Sequence, residues 1–241
     1  METLLSCKAG NSRTEAASRA RSRVLHWTQG ACVAIALTAS AAAAQEIGRL
    51  YATRPPPGSA FLRIVNAEPT APAKLNGSDL PIDKNAVASR YRVVRANEPI
   101  RLTVDGVATE VAAKPQADQF YTIAIARDGK TWSSTAIDEG QGSANDLKAQ
   151  LRFFNLSGTC DASLRIADGP VVFEATAFGH FNSRTINPVQ AKLEATCNGA
   201  SAALTLPQLR SGDHFSLFLV EIAGKPALVG QFDETEPYRD Q

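Results

Sequence analysis

The sequence predicts an all-β protein: two tandem β-sandwiches, Ig-like or jelly-roll-like, that arise from an internal duplication and follow a signal peptide. Three observations lead there. The chain matches itself at an offset of 89 to 95 residues. Short apolar or alternating runs are punctuated by Asp105-Gly106, Asp128-Gly129, Asn198-Gly199 and Ala223-Gly224, dipeptides that hairpin turns favour. No amphipathic stretch long enough for a helix competes with them.

Residues 1–44 read as an address rather than as part of the fold. Lys8, Arg13, Arg19, Arg21 and Arg23 stand against Glu2 and Glu15, and the apolar run Ala31 to Leu37 follows. Ala42-Ala43-Ala44 then supplies a small-residue cleavage site before Gln45, which completes a secretory signal peptide cut between Ala44 and Gln45. Removing it leaves 197 of the 241 residues and turns a net charge of +1 into −2. The full chain is 44% hydrophobic and 20% charged, which excludes wholesale disorder. No apolar run reaches about 18 residues, the length that a spanning helix needs. The near-neutral charge argues against a nucleic-acid binder.

The duplication sets the order of the remaining elements. Leu62-Arg63-Ile64-Val65-Asn66 recurs as Leu151-Arg152-Phe153-Phe154-Asn155, and Ala73-Lys74-Leu75 as Ala162-Ser163-Leu164. Ser89-Arg90 answers Ser183-Arg184, Val104-Asp105-Gly106 answers Cys197-Asn198-Gly199, and the strand from Phe120 answers the strand from Phe215. The matches keep their order, so residues 45–142 and 143–241 form two similar domains. In the first, Ala60 to Asn66 alternates around Phe61, Arg63 and Val65, and Gln119 to Ala126 is rich in β-formers. Glu139-Gly140-Gln141-Gly142-Ser143 reads as the linker, with a helical turn near Asn145 to Lys148. In the second, Lys192 to Cys197 alternates and Phe215 to Ile222 is nearly continuous apolar. Asp233 to Gln241 reads as a frayed acidic tail.

Cys160 and Cys197 are the two cysteines left after cleavage, and in an oxidising compartment they pair as a disulfide; two unpaired buried thiols are the alternative. Catalytic signatures are missing. There is no G-x-S-x-G elbow, and neither His180 nor His214 has an aspartate three residues before it. Two distant histidines do not supply a metal site, and no phosphate or dinucleotide fingerprint occurs, so neither metal nor cofactor is expected. Two features point to binding. Arg90 and Arg92 share one strand face that suits a polyanion or an acidic partner; an ordinary solvated face is the alternative. Phe178 to Pro188 is polar, aromatic and turn-like, and it reads as a recognition loop or a plain connection.

Several segments in this order resemble one family: Ile47-Gly48-Arg49-Leu50-Tyr51, then Ser59 to Ala67, then Ser183-Arg184-Thr185-Ile186-Asn187-Pro188-Val189, then Ser216-Leu217-Phe218-Leu219-Val220. Together they resemble the AlgF family, periplasmic alginate O-acetylation proteins of Gram-negative bacteria. The resemblance implies a periplasmic accessory of a machine in which a membrane-bound O-acyltransferase exports acetyl groups and SGNH-type proteins place them on the polymer. It implies an adaptor that bridges those two components, with Ser183, Arg184 and Asn187 on the docking surface. The alternatives are an acetyl-relay subunit and a polysaccharide-binding module.

Overall fold

The computed structural model describes residues 54–68, 70–142, 147–158 and 160–238. The signal peptide and its Ala44–Gln45 cleavage site lie outside the described residues, as do Asn145 and Asp146 of the expected helical turn.

The first repeat has eight strands: β1 (Ser59–Asn66), β2 (Ala73–Leu75), β3 (Ser78–Asp79), β4 (Arg92–Arg95), β5 (Leu102–Val104), β6 (Val107–Thr109), β7 (Gln119–Asp128) and β8 (Thr131–Gln141). The second has eight more: β9 (Ala149–Asn155), β10 (Ala162–Ile166), β11 (Val171–Thr176), β12 (His180–Ile186), β13 (Lys192–Cys197), β14 (Ala200–Thr205), β15 (His214–Ile222) and β16 (Lys225–Phe232). The sheet orders repeat strand for strand. β4-β1-β7-β8 and β3-β2-β5-β6 make the first sandwich, and β12-β9-β15-β16 and β11-β10-β13-β14 make the second. Each repeat also places its first and seventh strands in parallel, β1 beside β7 and β9 beside β15. The duplication is therefore one of topology as well as of sequence.

Turn chemistry explains the hairpins. Asp105-Gly106, Asn198-Gly199 and Ala223-Gly224 have positive φ at both central residues, the type I′ pattern that matches strand twist. β7 and β8 close instead over Gly129-Lys130, with positive φ at Gly129 alone, as a type II′ turn requires.

Each sandwich has its own core. In the first, Leu62 and Ile64 of β1 meet Leu75, Leu102, Val104, Ile123 and Trp132. In the second, Leu151 and Phe153 of β9 meet Leu164, Leu193, Ala195, Phe215 and Leu217. A third cluster joins the repeats: Val65, Val87, Ala88 and Ile137 of the first pack with Phe154, Phe218 and Val220 of the second. Full burial of such side chains stabilises by about 1.5–3 kcal/mol each. β1 and β9 are thus covered on both faces. One face looks into its own sandwich and the other looks toward the sister repeat.

Three local expectations change. Glu139 to Gln141 are not a linker: they complete β8, which continues past a register shift to pair Phe120 with Gly140 and Gln119 with Gln141. The C-terminal tail is docked through residue 236, where Tyr91 N–H donates to the Glu234 carbonyl and Glu236 N–H to the Tyr91 carbonyl, both at 2.8 Å. Phe178 to Pro188 is not a loop, because His180–Ile186 pairs along β9 from His180↔Asn155 to Ile186↔Ala149 as an edge strand. Its polar outer residues are what an exposed edge tolerates.

Candidate functional site

Polar groups converge where the two repeats meet. Arg63 stands at the middle of β1, fully buried, with its guanidinium 4.4 Å from the Tyr91 ring centre, 4.9 Å from Phe218 and 5.1 Å from Phe154. Its Nε donates to Thr122 Oγ1 at 2.8 Å, its Nη1 to Asp233 Oδ1 at 2.5 Å, and its Nη2 to Ser216 Oγ at 3.0 Å and Glu139 Oε2 at 3.5 Å. Arg152 on β9 donates from Nη1 to Asp233 Oδ2 at 3.1 Å and Glu139 Oε2 at 3.4 Å, and from Nη2 to Gln150 Oε1 at 3.2 Å. The Thr122 hydroxyl donates to Glu139, Ser216 to Asp233, and Tyr91 to both oxygens of Glu139.

This cluster obeys the duplication. Arg63 faces Thr122 across β1 and β7, and Arg152 faces Ser216 across β9 and β15. Tyr121 pairs with Asp138 and Phe215 with Phe232, which makes Glu139 the counterpart of Asp233. Each repeat supplies one arginine, one hydroxyl and one carboxylate at matching positions, the first repeat adds the Tyr91 hydroxyl, and each carboxylate bonds to both arginines. The pairs Arg63–Asp233 and Arg152–Glu139 cross between repeats. The two positive and two negative charges balance, and no buried side-chain polar atom among the described residues lacks a partner. Buried charges persist only when paired and hydrogen-bonded in this way.

The surroundings act on the titrating groups. Burial alone would lower the Arg63 guanidinium, but Tyr91, Asp233 and Glu139 outweigh it and hold the pKa above its ordinary value. Burial pushes the Tyr91 hydroxyl well above the usual tyrosine range; Arg63 and Arg152 oppose the rise, and Glu139 and Asp233 reinforce it. A raised pKa means that the folded state holds the Tyr91 proton more tightly than the unfolded chain does. That stabilisation is complete below the free tyrosine value of about 10 and is lost as pH rises toward the folded value. In alkaline titration followed at 295 nm, subtracting Tyr91→Phe from wild type should leave no tyrosinate signal until near-UV circular dichroism collapses. Reversible ionisation of Tyr91 near pH 10 in the folded protein would contradict this.

Arg90 and Arg92, flagged for a polyanion, line an open groove of about 1610 Å³ along β4 with Arg95, Arg101, Glu98 and Glu236. Arg90 meets Glu234 at 3.0 Å, and Arg92 meets Glu236 at 2.9 Å. Ser183 and Arg184 are exposed on β12, and Asn187 is exposed just past its end, so all three lie along one sheet edge. Cys160 and Cys197 form a disulfide with Cα atoms 5.7 Å apart. His180 opens β12, its Nδ1 3.0 Å from the Phe178 carbonyl, while His214 opens β15. Among the described residues no three His, Cys, Asp or Glu side chains are placed to hold a metal.

The register also shifts two of the sequence matches. Phe215 corresponds to Tyr121, not Phe120, because both face the leucine that the two repeats share, Phe215 opposite Leu151 and Tyr121 opposite Leu62. Arg184 corresponds to Arg92, not Arg90, because Arg184 faces Leu151 as Arg92 faces Leu62. The first repeat carries an extra residue between Arg92 and the Val65↔Ala88 bridge, which displaced the match.

These features define a class: a duplicated all-β scaffold whose sandwiches are joined by an apolar seam and a buried ionic clasp. Residues 32–207 match the family described as alginate O-acetyl transferase AlgF, and the chain belongs to the AlgF family. It is 29% identical over 214 residues to the alginate biosynthesis protein AlgF of Pseudomonas aeruginosa, covering 84% of this chain and 92% of that protein. Among solved structures, the C-terminal domain of AlgF from P. aeruginosa is 28% identical at a TM-score of 0.32, covering 36% of this chain and 98% of that one. A family 26 carbohydrate-binding module from Eubacterium rectale, in complex with maltoheptaose, matches at 11% identity and a TM-score of 0.25, covering 74% and 98%. Membership ties the chain to alginate O-acetylation.

Proposed function

We propose that the chain is a periplasmic adaptor of alginate O-acetylation, bridging the membrane-bound O-acyltransferase and the SGNH-type acetyltransferases. The observation that carries this reading is the clasp. It makes two sandwiches one body, so surfaces on either repeat keep a fixed spacing, as a bridging protein needs. The arginines and carboxylates of the clasp are spent on one another and buried, which suits a structural role better than catalysis. The exposed edge with Ser183, Arg184 and Asn187 is the docking surface in this reading. The periplasmic assignment rests on the basic segment, apolar run and Ala42-Ala43-Ala44 site. Among the described residues no helix is long and apolar enough to cross a membrane.

Co-purification tests the bridge. The SGNH-type protein should be recovered with the tagged, detergent-solubilised acyltransferase only when this chain is present. Equal recovery without it overturns the adaptor reading.

A further inference from the structure

The chain binds its own tail at one strand edge, and the duplication reproduces that edge without a tail. Beside β4, Thr235 lies parallel to Tyr91, held by the paired bonds from Tyr91 N–H to Glu234 and from Glu236 N–H to Tyr91. Arg92 grips the Glu236 carboxylate with two prongs, Nε to Oε2 at 2.9 Å and Nη2 to Oε1 at 3.1 Å. Such two-pronged pairs are among the stronger and more directional contacts.

Register places the same features on β12. Arg184 is the counterpart of Arg92, and Ser183 is therefore that of Tyr91. Backbone direction agrees. Gln150 N–H donates to Asp213 and Leu156 N–H to Leu219, so even-numbered residues of β9 turn toward β15 and its neighbour. Odd-numbered Leu151 and Phe153 then bond β12 through Arg184 and Asn182. The N–H and C=O of Ser183 point off the free edge, as those of Tyr91 point to the tail. Among the described residues nothing pairs with that edge, Ser183 and Arg184 are exposed, and the Arg184 guanidinium has no partner. The residues that correspond to the tail, Gly140 and Gln141, stay paired on β7.

We propose that the edge of β12 at Ser183 and Arg184 takes an extended acidic segment of a partner protein, added as a parallel strand with one carboxylate on Arg184. This rests on the adaptor reading and names the chemistry of its contact. The chain's own tail is not the occupant, because Arg63, Arg90, Tyr91 and Arg92 already hold it. Charge complementarity selects an acidic side chain, and main-chain pairing supplies the rest. Phe178 and Val189, each 44% exposed, bracket β12 and offer apolar contact at both ends.

A fluorescein-labelled synthetic peptide of residues 232–238, titrated into the full chain by fluorescence anisotropy, tests the edge. Arg184→Glu should weaken binding about tenfold or more, the loss expected for a hydrogen-bonded charge. Ser183→Pro should weaken it comparably, since it removes the outward N–H at a position where an edge strand accepts proline. Arg184→Lys should fall between, and a peptide with Gln for Glu should bind the wild type weakly. Binding insensitive to Ser183 and Arg184, or no binding up to about 1 mM peptide, overturns the proposal. A wild-type dimer abolished by Arg184→Glu also overturns it by assigning the edge to a second copy. Failure here with the three-component complex still recovered leaves the adaptor reading standing. Loss of the complex with peptide binding intact removes that reading alone.

Discussion

Arg63→Met should destabilise the protein by about 3–5 kcal/mol, the cost of breaking a buried ionic network by removing one partner. Methionine keeps much of the volume, so the loss is electrostatic rather than a cavity. Two carboxylates, Glu139 and Asp233, would remain with Arg152 as their only cation in the cluster. The Thr122 and Ser216 hydroxyls would lose an arginine donor, and the aromatic rings of Tyr91, Phe154 and Phe218 would lose the cation they surround. Asp233→Asn should also be costly on its own. Combined with Arg63→Met it restores charge balance, so the double variant should be more stable than the sum of the single losses predicts, by about 0.5–3 kcal/mol. Urea unfolding measures all three. A midpoint for Arg63→Met equivalent to a loss below about 1 kcal/mol would show that the clasp carries no net weight.

That network was half legible in the sequence. The repeated segment shows an arginine between apolar neighbours in both copies, Arg63 and Arg152, and the alternation puts Phe61, Arg63 and Val65 on one face. A lone sandwich would turn that face to water. Here it turns to the sister repeat, and Val65 enters the shared cluster. The carboxylates were hidden by their surroundings. Glu139 stands in a glycine-rich run and Asp233 opens an acidic tail, and both settings read locally as solvent-exposed. Their partners are remote in sequence: Arg63–Glu139 spans 76 residues within the first repeat, and Arg63–Asp233 spans 170 across the repeat boundary, both out of reach of any window of local composition. The strands themselves were easier. β1, β7, β13 and β15 follow from alternation, β-formers and turn dipeptides, all short-range signals. β12 escaped because its identity as a strand comes from β9, while Ser183, Arg184 and Thr185 carry the polarity of a loop.

The duplication also sets the expected size of the disulfide's contribution. Asn66 Nδ2 donates to the Ala71 carbonyl and Asn155 Nδ2 to the Cys160 carbonyl, so Ala71 holds the place of Cys160 in the first repeat. Val104, which ends β5 before Asp105-Gly106, holds the place of Cys197, which ends β13 before Asn198-Gly199. The first repeat closes this corner without a covalent bond, through apolar packing and the hydrogen bonds from Asn66 to Ala71 and from Asp105 N–H to the Pro72 carbonyl. The suitable replacement in the second is therefore Cys160→Ala with Cys197→Val, which keeps the corner apolar and removes only the covalent bond. Separation by 37 residues corresponds to a loop-closure contribution of about 4 kcal/mol. Guanidinium unfolding of this double variant, and of wild type under reducing conditions, should each show a loss approaching that value. Cys160→Ser with Cys197→Ser should lose more, because hydroxyls would be buried in the core that now contains the sulfurs. A loss below about 1 kcal/mol for the alanine–valine pair would mean that the unfolded second repeat already holds these segments together, and that packing rather than the bond fixes the corner.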